Sequence, residues 1–414
     1  MKLSFELYLK PTKEQKLVLD SFGYNAYKLW NLGNYEKRNY QTLGFEEFPN
    51  WYDQKKRLKD NFFYKNLPSQ TAQEVLNVLQ QSWKSYFKLL KTNGVKNPKP
   101  PRFKEDNIQF SFLNKGFVIT NDELRLSIPK STKQYMKETY SLEINYLVFK
   151  SPIFKQFSNV KQIKVDRKND MYRFIIIYEI LDTPIIEDNG NYLSIDIGIN
   201  NLFTCVDNRN FKTFIVGKKY LSIQHYYNKE IAYYQSISDS QQVSKGINYP
   251  KKSKRVLSLY EKKRNVTKDY LHKCTTYIKN YCVENNISRV IIGDITHIRE
   301  NKNFGAVNNQ KLHSLPFDKI YNMLQYKLAL CGILLIKQKE SYSSQCPPNS
   351  IAVSKEFAIK SNRKKRGCYL DGNILYNADA VGAYNIGRLA TQENKINNFN
   401  VPVKVLSSPI KVAV

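Results

Sequence analysis

The hydrophobic and polar positions of this chain follow strand and helix periods in turn. Residues 2–10, KLSFELYLK, alternate apolar and polar and predict a strand. Pro11 and Thr12 are typical of the start of a helix, and a second helix is predicted from Ser69 to Leu90. The apolar stripe of that second helix indicates core packing and comprises Ala72, Val75, Leu76, Leu79, Trp83, Tyr86, Phe87 and Leu90. Strand patterns return after the proline-rich KNPKPPRFK (96–104) and end in a predicted hairpin around residues 168–170.

A different pattern begins near residue 185. A buried strand ends at Asp196, a charged helical segment covers 220–285, and RVIIGD forms another strand. A helix ending at Gly332, the strand ILLIKQKE and the helix NADAVGAYNIGRLA follow. This alternation of strands and helices predicts an α/β sheet. Residues 393–414 have little pattern, and we expect a flexible tail.

The charge of the chain points to a polyanionic partner. Lys and Arg total 65 against 36 acidic residues, a net charge of +29, and the chain has 30 Tyr and 22 Phe. An AT-rich genome explains much Lys, Tyr and Asn but not the excess of bases over acids. Basic and aromatic residues together favour nucleic acid, through phosphate contact and base stacking. No secretory signal pattern or stretch of membrane-span length occurs, so we expect an intracellular protein with no membrane partner.

Two aspartates stand out as candidate metal ligands. Asp196 follows the apolar run Tyr192–Ile195, and Gly198 just beyond it permits close approach of a backbone or phosphate. Asp379 lies in the first turn of a predicted helix, where a lone Asp is usually a cap. On elements that converge, the pair suggests Mg²⁺ ligands, and a two-metal site needs three or four carboxylates.

An ordered set of motifs resembles the TnpB (OrfB) proteins of insertion sequences, which are related to type V CRISPR effectors. The set comprises LKPTKEQK, LPSQTAQEVLNVLQQSWKSYF, PKPPRFK, SIDIGINNLFT, RVIIGDI, LPFDKIYNMLQYKLALCGI, ESYSSQ and NADAVGAYNIGR. The resemblance implies an α/β RNase H-like (RuvC) nuclease domain and an N-terminal β-barrel wedge domain with an inserted helical recognition lobe. We expect the wedge at 1–10 and 97–184, the lobe at 11–96, and the nuclease at 185–392 with its helical insertion at 220–285.

The resemblance also implies partners, cofactors and a location. These are a guide RNA, a double-stranded DNA target, a two-metal Mg²⁺ site, and a protein that works as monomer or homodimer in the cytoplasm of a prokaryote, at the nucleoid. Asp196 corresponds to the first RuvC carboxylate and Asp379 to the third. The family usually has Glu where this chain has Gly293.

Four answers to the missing carboxylate stay open. Glu340 ends the strand that neighbours the one ending at Gly293, so it should emerge at the same edge, and it is our first choice. Asp294 is adjacent, but successive strand side chains point to opposite faces. Glu300 lies in a polar loop that would have to fold back. The last answer is that nothing replaces the carboxylate.

The family often carries a four-Cys zinc ribbon before its last motif, and this chain does not. Its six cysteines lie at 205, 274, 282, 331, 346 and 368 without a CxxC pair, and reduced, mostly buried thiols are expected. Only Cys346 and Cys368 fall in the ribbon segment, 341–376, and two thiols do not make a tetrahedral site. We therefore predict no zinc and a degenerate ribbon loop.

Three basic clusters are candidates for contact with nucleic acid. A charged, solvated surface is the alternative for each single residue, and phosphate binding is favoured for the clusters together. The candidates are Lys99, Arg102, Lys104, Lys262, Lys263, Arg264, Lys268, Arg363, Lys364, Lys365 and Arg366.

The sequence thus supports two main functional hypotheses. The first is an RNA-guided, Mg²⁺-dependent DNA endonuclease of a transposable element, with Asp196, Glu340 and Asp379 as metal ligands. The second is a nuclease-inactive, RNA-guided DNA-binding protein that acts as a repressor, which Gly293 favours and the two intact aspartates oppose. A transposase that joins strands itself is weaker, because no tyrosine-nucleophile motif stands out.

Overall fold

The chain forms two compact units, residues 1–181 and 182–414. The computed structural model describes residues 1–92, 95–106, 108–168, 171–296, 303, 305–363, 365 and 367–414. The boundary expected from the sequence lies three residues later, between 184 and 185. Within the described ranges, no helix combines the length and the apolar character needed to cross a membrane.

The amino-terminal unit consists of a group of helices and two small sheets. Its elements are β1 (Lys2–Leu9), α1 (Lys13–Arg38), α2 (Trp51–Arg57), α3 (Phe62–Lys65), α4 (Ser69–Thr92), β2 (Phe110–Leu113), β3 (Phe117–Thr120), β4 (Glu123–Ser127), α5 (Lys130–Tyr140), β5 (Tyr146–Lys150), β6 (Val160–Lys168) and β7 (Met171–Glu179). One sheet has the order β1-β7-β6-β2 and the other the order β3-β4-β5, and all their pairings are antiparallel.

The two long helices of this unit follow from local signals. Thr12 caps α1 with a capping box, because its hydroxyl accepts from the backbone of Gln15 and the Gln15 side chain accepts in return. The apolar stripe of α4 is buried from Ala72 to Trp83, as predicted. Phe87 and Leu90 are wrongly predicted as core, since they are 38% and 45% exposed.

The β-structure differs in part from the prediction. The expected single β-domain is divided into two sheets, and in the part that the structure describes neither sheet closes on itself, so the barrel stays a prediction. The sequence does not predict helix α5, because only Thr132 and Met136 of its eleven residues are buried, too few to produce a helical period. The predicted hairpin is present as β6 and β7, although its turn lies outside the described residues.

The carboxyl-terminal unit is built on one mixed sheet of six strands. Its elements are β8 (Tyr192–Asp196), β9 (Phe203–Asp207), β10 (Lys212–Val216), α6 (Tyr220–Val243), α7 (Lys254–Glu284), β11 (Arg289–Asp294), α8 (Ala306–Ser314), α9 (Phe317–Ala329), β12 (Leu334–Lys339), β13 (Cys368–Asp371), β14 (Ile374–Asn377), α10 (Ala378–Gln392) and β15 (Ile410–Val412). The strand order is β12-β11-β8-β9-β10-β15, with β8, β11 and β12 parallel to one another. The predicted α/β sheet is therefore present.

Both faces of the central strand β8 are buried, as its apolar sequence predicts. Leu193 and Ile195 pack in one cluster with residues of α7 and α9. Tyr192 packs on the opposite face against α10, and the Ser194 hydroxyl on that face donates to the carbonyl of Ala383 at 2.6 Å. Asp196, two residues after Ser194, therefore belongs to the face that α10 covers.

The expected flexible tail is wrong. Residues 393–414 add β15 to the sheet edge, parallel to β10, with Phe214 opposite Ile410. Phe399 and Leu406 are buried in the cluster around α10. The ring of Phe399 fills the space above Gly387, where an added Cβ would come within 2.4 Å of it. Single buried residues in a polar segment give no periodic pattern in the sequence. This is why the sequence wrongly predicts a flexible tail.

Candidate active site

The two central strands bring Asp196 beside Gly293. Asp196 is the last residue of β8, and β11 pairs with β8 in parallel from Arg289 opposite Tyr192 to Ile292 opposite Ile195. The same register continued by one residue places Gly293 opposite Asp196. A family-type carboxylate at position 293 would therefore have stood next to Asp196.

Glu340 fills the space that a side chain at position 293 would occupy. Gly293 is opposite Gln338 of β12, and Glu340, two residues later, lies on the same face. A Cβ built on Gly293 would be 1.7 Å from Glu340 Oε1, 2.6 Å from its Cδ and 2.9 Å from its Cγ. The Glu340 side chain thus lies directly over Gly293, and any larger residue there would displace it.

Asp379 is available for a role beyond capping. The side chain of Asn377 caps α10, accepting from the backbone of Asp379 and of Ala380 at 3.1 and 3.0 Å. The carboxylate of Asp379 instead accepts a hydrogen bond from Asn201 Nδ2 at 2.8 Å. Asp196 lies beside the same helix, because a Cβ on Gly382 would be 3.3 Å from Asp196 Oδ2.

Asn201 is a site residue that sequence reasoning missed. It follows β8 in a tight turn, where the Gly198 amide donates to the Asn201 carbonyl at 3.1 Å. A Cβ on Gly198 would be 2.8 Å from that carbonyl, so the glycine is needed for the turn. The turn directs the Asn201 amide to Asp379, and a polar loop residue gives no signal of this in the sequence.

The electrostatics of the site favour a cation or extra protons. Burial, followed by the charges of Glu340 and Asp379, raises the pKa of Asp196 well above its usual range, and the charge of Arg363 offsets this in part. Burial and the nearby charge of Asp294 raise the pKa of Glu340 to about 7. Glu340 Oε1 is buried and has no hydrogen-bond partner in the described part of the chain.

The donor chemistry fits Mg²⁺, although no common coordination point is formed. Carboxylate oxygens are the ligands that Mg²⁺ prefers, and an unpartnered buried carboxylate oxygen is suited to a cation. Across the described ranges, no group of three or more His, Cys, Asp or Glu side chains is placed to hold one ion together. Asp196, Glu340 and Asp379 thus have the right chemistry and interact electrostatically, without sharing a single ligand position.

The alternative carboxylates are placed differently. Asp294 accepts from the amide of Thr296 at 3.0 Å and from the Thr296 hydroxyl, so it closes a turn. Burial, followed by the charge of Asp294, raises the pKa of Tyr321 on α9, the helix that packs against the face opposite Asp196. This agrees with the expected alternation of side chains along β11. Glu300 lies outside the described residues.

The degenerate ribbon segment is fixed to α10 by hydrogen bonds. Cys346 is buried and donates its thiol to the Ser354 carbonyl at 3.2 Å, whereas Cys368 is partly exposed, at the start of β13. The Asn385 amide donates to the Ser343 and Cys346 carbonyls at 2.8 and 2.9 Å. The absence of zinc stays a prediction.

The first basic cluster is attached to α1 through its backbone. Trp30 Nε1 donates to the carbonyl of Arg102 at 3.2 Å, and Asn31 exchanges two hydrogen bonds with the backbone of Lys104 at 2.7 and 2.8 Å. The ammonium of Lys104 lies 5.0 Å from the centre of the Trp30 ring. The Lys99 and Arg102 side chains are exposed.

The second cluster is less uniform than predicted. Lys262 and Arg264 are exposed on α7, and Lys268 is partly buried. Lys263 turns toward α6, where its ammonium donates to Asn228 Oδ1 at 2.7 Å and burial lowers its pKa. Its side chain therefore contributes to packing between the two helices.

The third cluster is only partly described. Arg363 and Lys365 are exposed, and the charge of Arg363 acts on Asp196. Lys364 and Arg366 lie outside the described residues. The carboxylates and one predicted basic residue are thus brought together electrostatically, whereas the second cluster lies on α7 and the first belongs to the amino-terminal unit.

The chain is similar to known proteins along most of its length. Residues 175–299 match the OrfB_IS605 family model, described as "Probable transposase", and residues 317–386 match the Cas12f1-like TNB domain. A curated relative from Escherichia coli (strain K12), named "Putative RNA-guided DNA endonuclease InsQ", is 22% identical over 398 residues, which cover 92% of this chain and 91% of the relative.

One solved structure shares the fold. The chain of a Cas12f1-sgRNA-target DNA complex superposes with a TM-score of 0.60 at 15% identity, covering 91% of this chain and 83% of that one. A CRISPR-Cas12f ternary complex gives a TM-score of only 0.38, which supports no argument. The two family models match in the order expected along the chain, and together with the Escherichia coli relative they support the resemblance to the TnpB (OrfB) proteins that the motifs indicate.

Proposed function

We propose that this protein is an RNA-guided DNA endonuclease that hydrolyses phosphodiesters with Asp196, Glu340 and Asp379. The name of the Escherichia coli relative supports the activity, and the sgRNA and target DNA of the solved Cas12f1 complex support the partners. The single observation that carries the catalytic assignment is the position of Glu340 over Gly293, 1.7 Å from where a Cβ would stand. The missing carboxylate has moved to the neighbouring strand.

The three carboxylates would hold Mg²⁺ between β8, the end of β12 and the first turn of α10. When bound, Mg²⁺ supplies Lewis-acid stabilisation of the charge that develops on the scissile phosphate. Asp196 and Glu340 concentrate negative charge on partly buried oxygens, which raises their affinity for a cation and for protons alike. Asn201 holds one oxygen of Asp379 by a hydrogen bond and so orients the other.

A cleavage assay tests this proposal. The protein is co-expressed with RNA from its own locus, purified as the complex, and mixed with a matched DNA duplex in Mg²⁺ or EDTA. We expect cuts that require Mg²⁺, and we expect Glu340→Ala to abolish cutting while target binding persists. Glu356→Ala, which removes an exposed carboxylate from the same part of the chain, is the matched control. Cleavage by Glu340→Ala at the wild-type rate would refute the assignment of Glu340.

The second candidate is an RNA-guided DNA-binding protein without nuclease activity. Gly293, in place of the usual Glu, favours it, as does the lack of three metal-type side chains around one point in the described residues. Its signature is tight, guide-dependent binding of the matched duplex with no cuts in any divalent cation. The unpartnered Glu340 oxygen opposes it, because a site without a cation has no reason to keep a carboxylate buried there.

A further inference from the structure

A groove of about 790 Å³ lies in the amino-terminal unit, between the end of α1, the C-terminal half of α4 and the proline-rich segment. This volume falls within the range of about 300–1,000 Å³ that is usual for small-ligand sites. Aromatic side chains dominate its lining, among them Tyr35, Phe48, Trp83, Phe87 and Phe103. None of the basic clusters described above explains this concentration of rings.

The floor of the groove is rigid. Trp83 is 6% exposed, and its Nε1 donates to Asn34 Oδ1 at 3.0 Å. The ring of Phe48 lies 5.2 Å from that of Trp83 and 5.3 Å from that of Phe87, both in edge-to-face contact. The rings are therefore held in place before any ligand arrives.

The rim carries exposed aromatic rings. Tyr35, Phe87 and Phe103 are 52%, 38% and 44% exposed. Phe103 is held by its neighbours, since Arg38 donates to the Pro101 carbonyl at 2.5 Å while its guanidinium lies 4.9 Å from the centre of the Phe103 ring. Rings fixed beside a cavity but left in water present flat faces on which a planar ligand can stack.

The charge around the groove suits an anionic ligand. Arg38 lies at the rim, and Lys99 is exposed next to Pro100, which lines the groove. The residues that line the groove, all of them described, include no Asp or Glu. Lys37 also lines it, but its ammonium is turned inward to Gln80 Oε1 at 2.6 Å and the Phe48 ring at 4.8 Å, and burial lowers its pKa to about 8.

We infer that this groove binds one unpaired nucleotide, whose base stacks on Phe87 or Phe103 and whose phosphate contacts Arg38. Stacking on aromatic rings accepts any base, and it requires the base to be out of a duplex. This inference rests on the proposed function, because it assigns a contact for the nucleic acid that the endonuclease holds. It concerns a site in the amino-terminal unit, apart from the three carboxylates.

The test uses the full chain purified free of RNA and short probes with a central 2-aminopurine, whose fluorescence falls when it stacks. The probes are hexa-adenylate RNA, its DNA counterpart and an RNA duplex of the same length. We expect the protein to quench the probe in either single strand and to leave it unquenched in the duplex, which can bind only through the basic clusters. The strand that binds more tightly identifies the source of the nucleotide, RNA or DNA.

Phe87→Ala and Phe103→Ala are the test variants, because both rings are partly exposed; Phe87 also contacts the Phe48 ring of the floor, whereas Phe103 lies at the rim. Stacking of a base on an aromatic ring is worth about 1–3 kcal/mol, so we expect one of them to weaken binding by roughly 5- to 150-fold. Phe103→Tyr keeps a ring and should keep binding. Tyr140→Ala, which removes a ring of similar exposure at the end of α5, should change nothing.

Three results would overturn the inference. One is equal binding by wild type and both alanine variants. Another is equal quenching of the probe in the duplex and in the single strands. The third is that light scattering shows a changed self-association of the variants while their binding of the probe is intact. The groove would then be an interface between copies of the chain. Wild-type protein that cleaves its target but does not quench the probe overturns this inference alone, and quenching without cleavage overturns the endonuclease alone.

Discussion

Gly293→Ala should separate the effect of Glu340 on cleavage from any effect on stability. The new methyl group would be 1.7 Å from Glu340 Oε1, whereas ordinary contact begins at 3.4 Å, so the carboxylate must move by at least about 1.7 Å. A misplacement of about 1 Å of a reacting group reduces rates by roughly 100-fold. We therefore expect cleavage to fall about 100-fold or more.

The same substitution should leave folding almost unchanged. The atoms that meet the new methyl group belong to the end of a flexible side chain, and moving Glu340 away from Asp196 relieves repulsion. We expect the free energy of unfolding to change by less than about 1 kcal/mol, and Tm by only a few degrees. Single-turnover cleavage of a matched duplex and a thermal melt of the same preparation measure the two effects.

A double-mutant cycle provides the control. With Glu340→Ala already present, the methyl group at position 293 meets no carboxylate, so Gly293→Ala should add almost no further loss. Gly293→Glu combined with Glu340→Ala returns the carboxylate to the position usual in the family. The cleavage rate of this double variant should be at least about tenfold higher than that of Glu340→Ala alone. Wild-type cleavage by Gly293→Ala, or an equal loss in both backgrounds, would refute the displaced-carboxylate reasoning.

Four further predictions address the rest of the carboxyl-terminal unit. Asn201→Ala should reduce cleavage by about 10- to 100-fold by freeing Asp379, with partial recovery at higher Mg²⁺ in a metal titration. In EDTA, the pKa of Glu340 is raised from 4.5 to about 7 in the folded chain, so the free energy of unfolding should fall as the pH rises through this range, by at most about 3.4 kcal/mol. Urea melts of Glu340→Gln should lose this pH dependence. Phe399→Ala should lower the free energy of unfolding by about 3–5 kcal/mol in chemical denaturation, and a change below about 1 kcal/mol would contradict the ordered tail. Elemental analysis of the purified protein should find no stoichiometric zinc, because segment 341–376 depends on packing and hydrogen bonds.

The sequence predicts the strands and the helix that carry the site, because each of them has a local pattern of apolar and polar residues. The strand that ends at Asp196 is an unbroken apolar run, and the helix that carries Asp379 begins with its own cap. The position of Glu340 could be predicted because β12 neighbours β11 in an α/β sheet of this order. That reasoning uses strand adjacency, and it needs no atomic detail.

Other features of the structure depend on contacts that give no periodic pattern in the sequence. The hydrogen bond from Asn201 to Asp379 joins residues 178 positions apart through a turn that only the folded chain forms. Phe399 is a single aromatic anchor in a polar segment, and its partner is a glycine. Lys263 is one of several lysines on α7, and only the packing of α6 distinguishes it from its neighbours.

The pairing of β15 with β10 has a consequence for the order of events during synthesis. The described strands of the amino-terminal unit are complete once β7 has been made, so this unit can fold while residues 182–412, as far as the end of β15, are still to be translated. At about 5–20 residues per second, this interval lasts roughly 10–50 s. The six-stranded sheet must wait for residue 412 before its edge at β10 is covered. A ribosome that stalls within this interval would release a chain with one finished unit and an open, aggregation-prone strand edge, which quality-control proteases can recognise.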